Sequence, residues 1–231
     1  MKKTLEGKWA LVTGSSRGIG RQIAIGLAEL QCNVIVHGRE LEHTHETLEI
    51  VQQKGVDALA VGAALDSEAG VAKLIAAVEG KEIDILYNNA AINCSSTPVF
   101  EFDQATWQKI FQVNVFAVTQ LCNAFGPGMK SRNWGRIVNV SSGICDQPNL
   151  APYSVSKAAI DKLTRDLAFE FKDTAVRVNA IDPGWIRTDL GGPDAWESVD
   201  TVLPGMLAPV LVADKGANGE YFQAQQFRFF E

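Results

Sequence analysis

The sequence predicts a doubly wound parallel α/β sheet with helices on both faces, and three observations carry that expectation. Short runs rich in β-branched and apolar residues alternate with longer segments whose apolar positions recur at helical spacing. Those runs are apolar along most of their length, as parallel strands covered on both faces are. The first of them leads straight into a glycine-rich turn, TGSSRGIG at 13–20, and then a helical pattern.

Taken in order, WALVT at 9–13 reads as the first strand, and 19–30 as the helix behind it, with Ile23, Leu27 and Leu30 on one stripe. The second strand is NVIVH at 33–37, followed by a helical pattern over 41–54. ALAV at 58–61 and the helix 67–78 form the next pair, then IDILY at 83–87 and a long helix over 104–130. RIVNV at 136–140, the helix 152–171 and VRVNAI at 176–181 complete the series. Beyond Thr188 a compact stretch leads to a last strand, with ANGEYFQAQQF near the end. Such an alternation is a Rossmann-type arrangement, whose ligands sit at the carboxyl ends of the strands.

Bulk composition narrows the function classes. With 231 residues, 46% of them hydrophobic, the chain suits one domain over 1–231, with a short substrate-loop region at about 185–205. A formal charge of −6 argues against nucleic acid or anionic lipid as a partner. Cys32, Cys94, Cys122 and Cys145 stand apart without CxxC or metal-ligand spacing, so no disulfide and no metal is expected. Lys2 and Lys3 precede an apolar stretch too short for a signal peptide, and no run is long enough to span a membrane. The expectation is a soluble, cytoplasmic protein.

In the glycine turn, Gly14 opens a tight bend, and Gly18 and Gly20 remove side chains where backbone must approach a phosphate and a neighbouring strand. The helix that follows offers unpaired N–H groups to an anion. At the end of the second strand, VIVHGRE places Arg39 at the position that meets an adenosine ribose, with no Asp or Glu among positions 34–38. Arg39, with Arg17 from the glycine turn, suits a 2′-phosphate, so NADP(H) is expected ahead of NAD(H).

Tyr153 and Lys157, four apart on a predicted helix, share one face. Reduction of a carbonyl by hydride needs a proton donor and a hydrogen bond aimed at its oxygen. Tyr153 is suited to donate, and a phenol of ordinary pKa about 10 needs a nearby cation such as Lys157 to exchange protons near neutrality. Ser142, at the end of the fifth strand, can hold the substrate oxygen; Ser141 competes for that role. Asn114, a polar residue between two valines in the long helix, reads either as a hinge that anchors a proton-carrying water or as a satisfied core amide.

These pieces resemble the short-chain dehydrogenase/reductase family. The matching motifs are TGSSRGIG at 13–20, NNAA at 88–91, Asn114 in VNV, NVSS at 139–142, YSVSK at 153–157 and PGWIRT at 183–188, in the family's order over almost the whole chain. DLGGPDAW and the chain's ending resemble its carbonyl-reductase-like branch. The resemblance implies catalytic roles for Asn114, Ser142, Tyr153 and Lys157. It also implies a cofactor site built from Gly14, Ser16, Arg17, Gly18, Ile19, Gly20 and Arg39, with Asn89, Ala90 and Ala91 beside the adenosine ribose. Tyr153, Lys157, Pro183 and Gly184 complete that site, with the Ile186 backbone and Thr188 holding the nicotinamide carboxamide or the pyrophosphate, and a homodimer or homotetramer is expected.

Three departures from the family pattern stand out. Ala91 occupies a position where the family has glycine. The acidic residue that faces adenine is absent, replaced by Ala63 or Ala64, or displaced to Asp66. The segment from Ser142 to Tyr153 is short. Substrate contacts are expected from 93–97, 144–150 and 185–196, which hold no basic cluster, so a neutral ketone, aldehyde or alcohol is the expected substrate. Trp185 and Trp196 read as cleft walls or simple packing. A 3-ketoacyl or sugar substrate, or a non-catalytic NADP-binding regulator, are the alternatives.

Overall fold

A computed structural model describes residues 4–144 and 146–229. Its seven strands are β1 (Trp9–Val12), β2 (Asn33–Gly38), β3 (Ala58–Gly62), β4 (Ile85–Asn88), β5 (Gly135–Val140), β6 (Val176–Asp182) and β7 (Tyr221–Gln223). They form one sheet in the order β3-β2-β1-β4-β5-β6-β7, with every neighbouring pair parallel. The chain leaves β1 toward β2 on one side and returns to β4 on the other, which opens a crevice at their carboxyl ends. That is the expected doubly wound sheet.

Alternate residues of each strand face opposite layers. Val12, Val36, Tyr87 and Val138 pack with Ile23 and Leu27 of α1 (Gly18–Glu29) on one face. Leu11, Ile35, Leu86 and Ile137 pack on the other, with Leu74 of α3 (Glu68–Ala77). Leu121 of α5 (Ala117–Ser131) and Ile160 of α6 (Ala151–Glu170) complete that layer. Both faces are dry, as the unbroken apolar runs require.

Most predicted elements are present with ends shifted by a residue or two, and three differ in kind. The pattern over 41–54 begins as a 3₁₀ turn, Glu42–Thr44, before α2 (His45–Gln52). The long helix over 104–130 is interrupted: α4 (Gln104–Phe111) passes through a π-helical turn, Gln112–Phe116, into α5. A π turn is a single i→i+5 turn inside an otherwise helical segment, and this one, QVNVF, carries no Gly or Pro, so no breaker marks it in the sequence. The last strand, β7, is only three residues and largely exposed, with no apolar alternation to announce it.

Cys32 and Cys122 are buried free thiols and Cys94 is a half-buried one, while Cys145, Lys2 and Lys3 lie outside the described residues. Among the described residues no His/Cys/Asp/Glu group has metal-site geometry, and no helix is long and apolar enough to cross a membrane.

Candidate active site

The glycine turn is held by side chains of β1, β2 and β4. Thr13 Oγ1 accepts the backbone N–H groups of Asn89 and Ala90, both at 3.0 Å. Asn89 Nδ2 donates back to the carbonyls of Thr13 (2.9 Å) and Gly14 (3.2 Å), which ties the ends of β1 and β4 together. Gly14 and Gly18 have φ of +64° and +58°, a region that favours glycine. A Cβ on Gly14 would stand 2.9 Å from Ala90 Cα, and one on Gly20 would fall on the Gly14 carbonyl and 2.6 Å from Asn89 Nδ2. Arg17, at the N-cap of α1, makes no side-chain cap, so the first-turn N–H groups face the crevice unbonded by it. The arrangement is a backbone-lined turn with the first-turn N–H groups suited to an anion.

His37, absent from the sequence-predicted site, is the buried prop of this turn. Its Nδ1 accepts the Gly14 N–H at 3.0 Å, and its Nε2 donates to the Ala63 carbonyl at 2.9 Å, which fixes a neutral tautomer. Burial pushes its pKa down to about 4, because a charged ring would be desolvated and would lose its acceptor nitrogen. The unfolded chain takes up this proton near pH 6.5 and the folded chain near 4, so this contribution is complete above pH 6.5 and lost as pH falls through 4. The expected size is about 3 kcal/mol. Comparing urea midpoints of the wild type with His37→Gln at pH 7 and pH 4 checks this; a difference that does not change with pH would contradict it.

Arg39 is exposed at the end of β2 and lines the crevice, and Arg17 pairs with Asp189 at 2.7 Å across its mouth. Ala63, Ala64 and Asp66 all line the same end. Ala91 also reaches the lining, next to Ile92.

At the other end, α6 and the end of β5 bring the candidate catalytic groups together. Tyr153 and Lys157 are buried on the same face of α6, with the Lys157 Nζ 5.6 Å from the phenol ring centre. Nζ donates to the Val140 carbonyl at 2.8 Å. Ser142 stands beside the Tyr153 phenol and holds its pKa down, whereas Ser141 is buried and acts on Asp161. Of the two serines, Ser142 is the one with the geometry to share a substrate oxygen with the phenol.

The electrostatics depart from the sequence-based expectation. Burial pushes the Tyr153 phenol up to about 12, the hydrogen bond from Ser142 pulls it down, and Asp182 pushes it up again. Burial lowers Lys157 to about 8, with the charge of Asp161 opposing. Lys157 therefore does not bring the phenol near neutrality in this state, because desolvation outweighs it and its ammonium is engaged by Val140. The phenol is a fully protonated acid.

Asn114 lies in the π turn, behind the cleft rather than on its wall. Its Oδ1 accepts the Ile92 N–H at 2.9 Å, and its Nδ2 donates to the Ile92 carbonyl and to Ser156 Oγ, both at 3.0 Å. The amide is thus satisfied, and it sits at the break in the helix. Ser156, bonded to Asn114 and adjacent to Lys157, had no signal in the sequence beyond its place in the YSVSK motif.

All the other sequence-predicted site residues line one continuous cleft of about 1160 Å³. Thr188 approaches the glycine turn, where its Cγ2 would lie 3.4 Å from a Cβ on Gly18. Ile186 is buried and bridges to Glu197, and Arg187 donates to the Ala195 and Trp196 carbonyls, so the loop is knitted to itself. Trp185 and Trp196 meet edge-to-face at 5.3 Å and both line the cleft.

The short chain dehydrogenase family model matches residues 8–197. The chain belongs to the short-chain dehydrogenase/reductase family. As a member, it is 38% identical over 194 residues to the dehydrogenase/reductase SDR family member 4 of Sus scrofa, covering 81% of this chain and 69% of that relative. Among solved structures, it resembles a gluconate 5-dehydrogenase from Burkholderia cenocepacia J2315 in complex with NADP and tartrate, with a TM-score of 0.85 at 27% identity. That match covers 96% of this chain and 95% of the other. A 3-oxoacyl-[acyl-carrier protein] reductase from Brucella melitensis with bound NAD gives a TM-score of 0.86 at 26% identity, over 96% and 90% of the two chains. This short-chain dehydrogenase/reductase is thus an oxidoreductase of the NAD(P)-binding class.

Proposed function

We propose that the protein interconverts a ketone or aldehyde and its alcohol, using NADP(H) ahead of NAD(H), as one domain over 1–231 with a substrate loop at 185–205. The observation that carries this is that Ser142, Tyr153 and Lys157 line the same cleft as the glycine turn, with the Lys157 Nζ 5.6 Å from the phenol ring centre. Gly14, Ser16, Arg17, Gly18, Ile19 and Gly20 hold the pyrophosphate half of the dinucleotide, with Asn89, Ala90 and Ala91 beside the adenosine ribose. Pro183, Gly184, Ile186 and Thr188 border the nicotinamide, and Lys157 bonds its ribose. When bound, the nicotinamide supplies or accepts the hydride; the protein's own groups manage the oxygen and its proton.

In the reductive direction, Ser142 and Tyr153 both donate to the substrate oxygen. As the oxygen gains charge it becomes a stronger base than the phenolate, so Tyr153 gives up its proton despite a pKa of about 12. The buried Lys157 ammonium stabilises the phenolate that remains. Asn114 holds Ser156 and the π turn in place behind them.

Exposed Phe116, Val155 and Phe169 on the π turn and α6 support association into a homodimer or homotetramer. The acidic net charge and the dispersed thiols support a cytoplasmic site of action.

Arg39 supports the cofactor preference, since it is exposed at the cleft with no carboxylate within ion-pair distance among the described residues. Arg39→Asp is expected to lower the NADPH/NADH ratio of kcat/KM about 100-fold, by losing a charge-assisted phosphate contact and adding a repulsion. Absorbance loss measured with each cofactor and one carbonyl tests this, and an unchanged ratio removes Arg39 from the cofactor site.

A further inference from the structure

We infer that this cleft selects carbonyl compounds that carry a positive charge on the carbon next to the carbonyl, with Asp182 as the recognising carboxylate and Trp185 and Trp196 as the wall for an apolar body. The inference rests on the proposed carbonyl chemistry and names its substrate class.

Asp182 ends β6 and lines the cleft beside the Ser142–Tyr153 pair. Its Oδ1 accepts the Gly184 N–H at 2.9 Å, which fixes the carboxylate. Its Oδ2 lies 2.8 Å from where a Cβ on Gly143 would stand, so the carboxylate packs against the backbone immediately after Ser142, and any larger residue at 143 would displace it. Among the described residues Oδ2 has no hydrogen-bond donor. The same charge reaches the phenol and disfavours its ionisation.

The cations that could neutralise Asp182 are occupied elsewhere. Lys157 Nζ is bonded to the Val140 carbonyl, and Arg187 to the carbonyls of Ala195 and Trp196. Lys109 lines the cleft from the exposed surface of α4, where solvent screens it. In the same cleft, Trp185 and Trp196 remain 45% and 79% exposed, although Trp185 Nε1 is tied to the Gly191 carbonyl. An aromatic pair lining the same cleft as a carboxylate suits a cation attached to an apolar body. A carboxylate in the substrate at that position would meet Asp182 in a partly dehydrated cleft.

The test uses phenacyl ketones that bear trimethylammonium, tert-butyl or carboxylate on the methylene; the first two have the same shape and differ in charge. Asp182→Asn keeps the acceptor for Gly184 and the packing against Gly143. With NADPH, the variant is expected to lower the cation/neutral ratio of kcat/KM at least about ten-fold relative to wild type, and to raise the anion/neutral ratio. Ratios unchanged between the two proteins would overturn the inference. Binding of the trimethylammonium compound, read by tryptophan fluorescence, is expected to weaken about ten-fold in the variant, and equal affinity overturns the inference as well. Consumption of no ketone by either protein, with binding that still depends on Asp182, would instead refute the carbonyl chemistry and leave the cation site standing.

Discussion

Tyr153→Phe is expected to lower kcat/KM about a thousand-fold while leaving cofactor affinity within a factor of about two, because it removes one proton donor and nothing else of consequence. The ring is buried and its packing survives the change. Only the hydroxyl, which Ser142 flanks in the cleft, is lost. A phenol pushed up to about 12 by burial and by Asp182 cannot be replaced by bulk water, since the proton must arrive where the substrate oxygen sits between Ser142 and position 153. Steady-state kinetics and a fluorescence titration with NADPH separate the two effects. A variant within ten-fold of the wild-type rate would take Tyr153 out of the proton path.

The residues whose roles were legible in the sequence are those whose neighbours lie close along the chain. Tyr153 and Lys157 are one helical turn apart, and the glycines of 13–20 act through their own backbone, so spacing alone brought each set together. His37 and Asp182 were not legible, because each acts on a partner from another element. His37 sits within an apolar strand pattern, yet its function is to bond Gly14, 23 positions upstream. Asp182 reads as a strand end, and its influence on Tyr153 requires β6 to lie beside β5 with α6 across both. The choice between Ser141 and Ser142 was open for the same reason, since the direction in which β5 ends depends on the helix packed over it. The doubly wound parallel sheet and its two covered faces followed from the unbroken apolar strands, but the π turn did not, since QVNVF holds no Gly or Pro to mark a break.

Lys157→Met is expected to abolish most of the activity, at least about 100-fold, while the protein becomes no less stable at pH 7. The two effects have one cause. Burial lowers the ammonium from its ordinary value of 10.5 to about 8, so the folded state binds that proton more weakly than the unfolded state does. Below pH 8 both states are protonated and the whole burial cost is present, about 3 kcal/mol; it shrinks between pH 8 and 10.5 and is gone above. Methionine fills the channel without a charge, although it leaves the Val140 carbonyl without its 2.8 Å donor, which returns about 1–2 kcal/mol of the gain. The net expectation is a denaturation midpoint equal to or above that of the wild type at pH 7, and an advantage that fades as pH rises toward 10.5. The wild-type enzyme should correspondingly lose rate above about pH 8, as Lys157 gives up the charge that stabilises the phenolate. A structural lysine would behave in the opposite way, its loss lowering stability first and activity only as a consequence. Urea midpoints and rates measured on the same preparations decide between the two, and a destabilised Lys157→Met that keeps its specific activity would show that the fold retains this lysine for its packing and its hydrogen bond rather than for its charge.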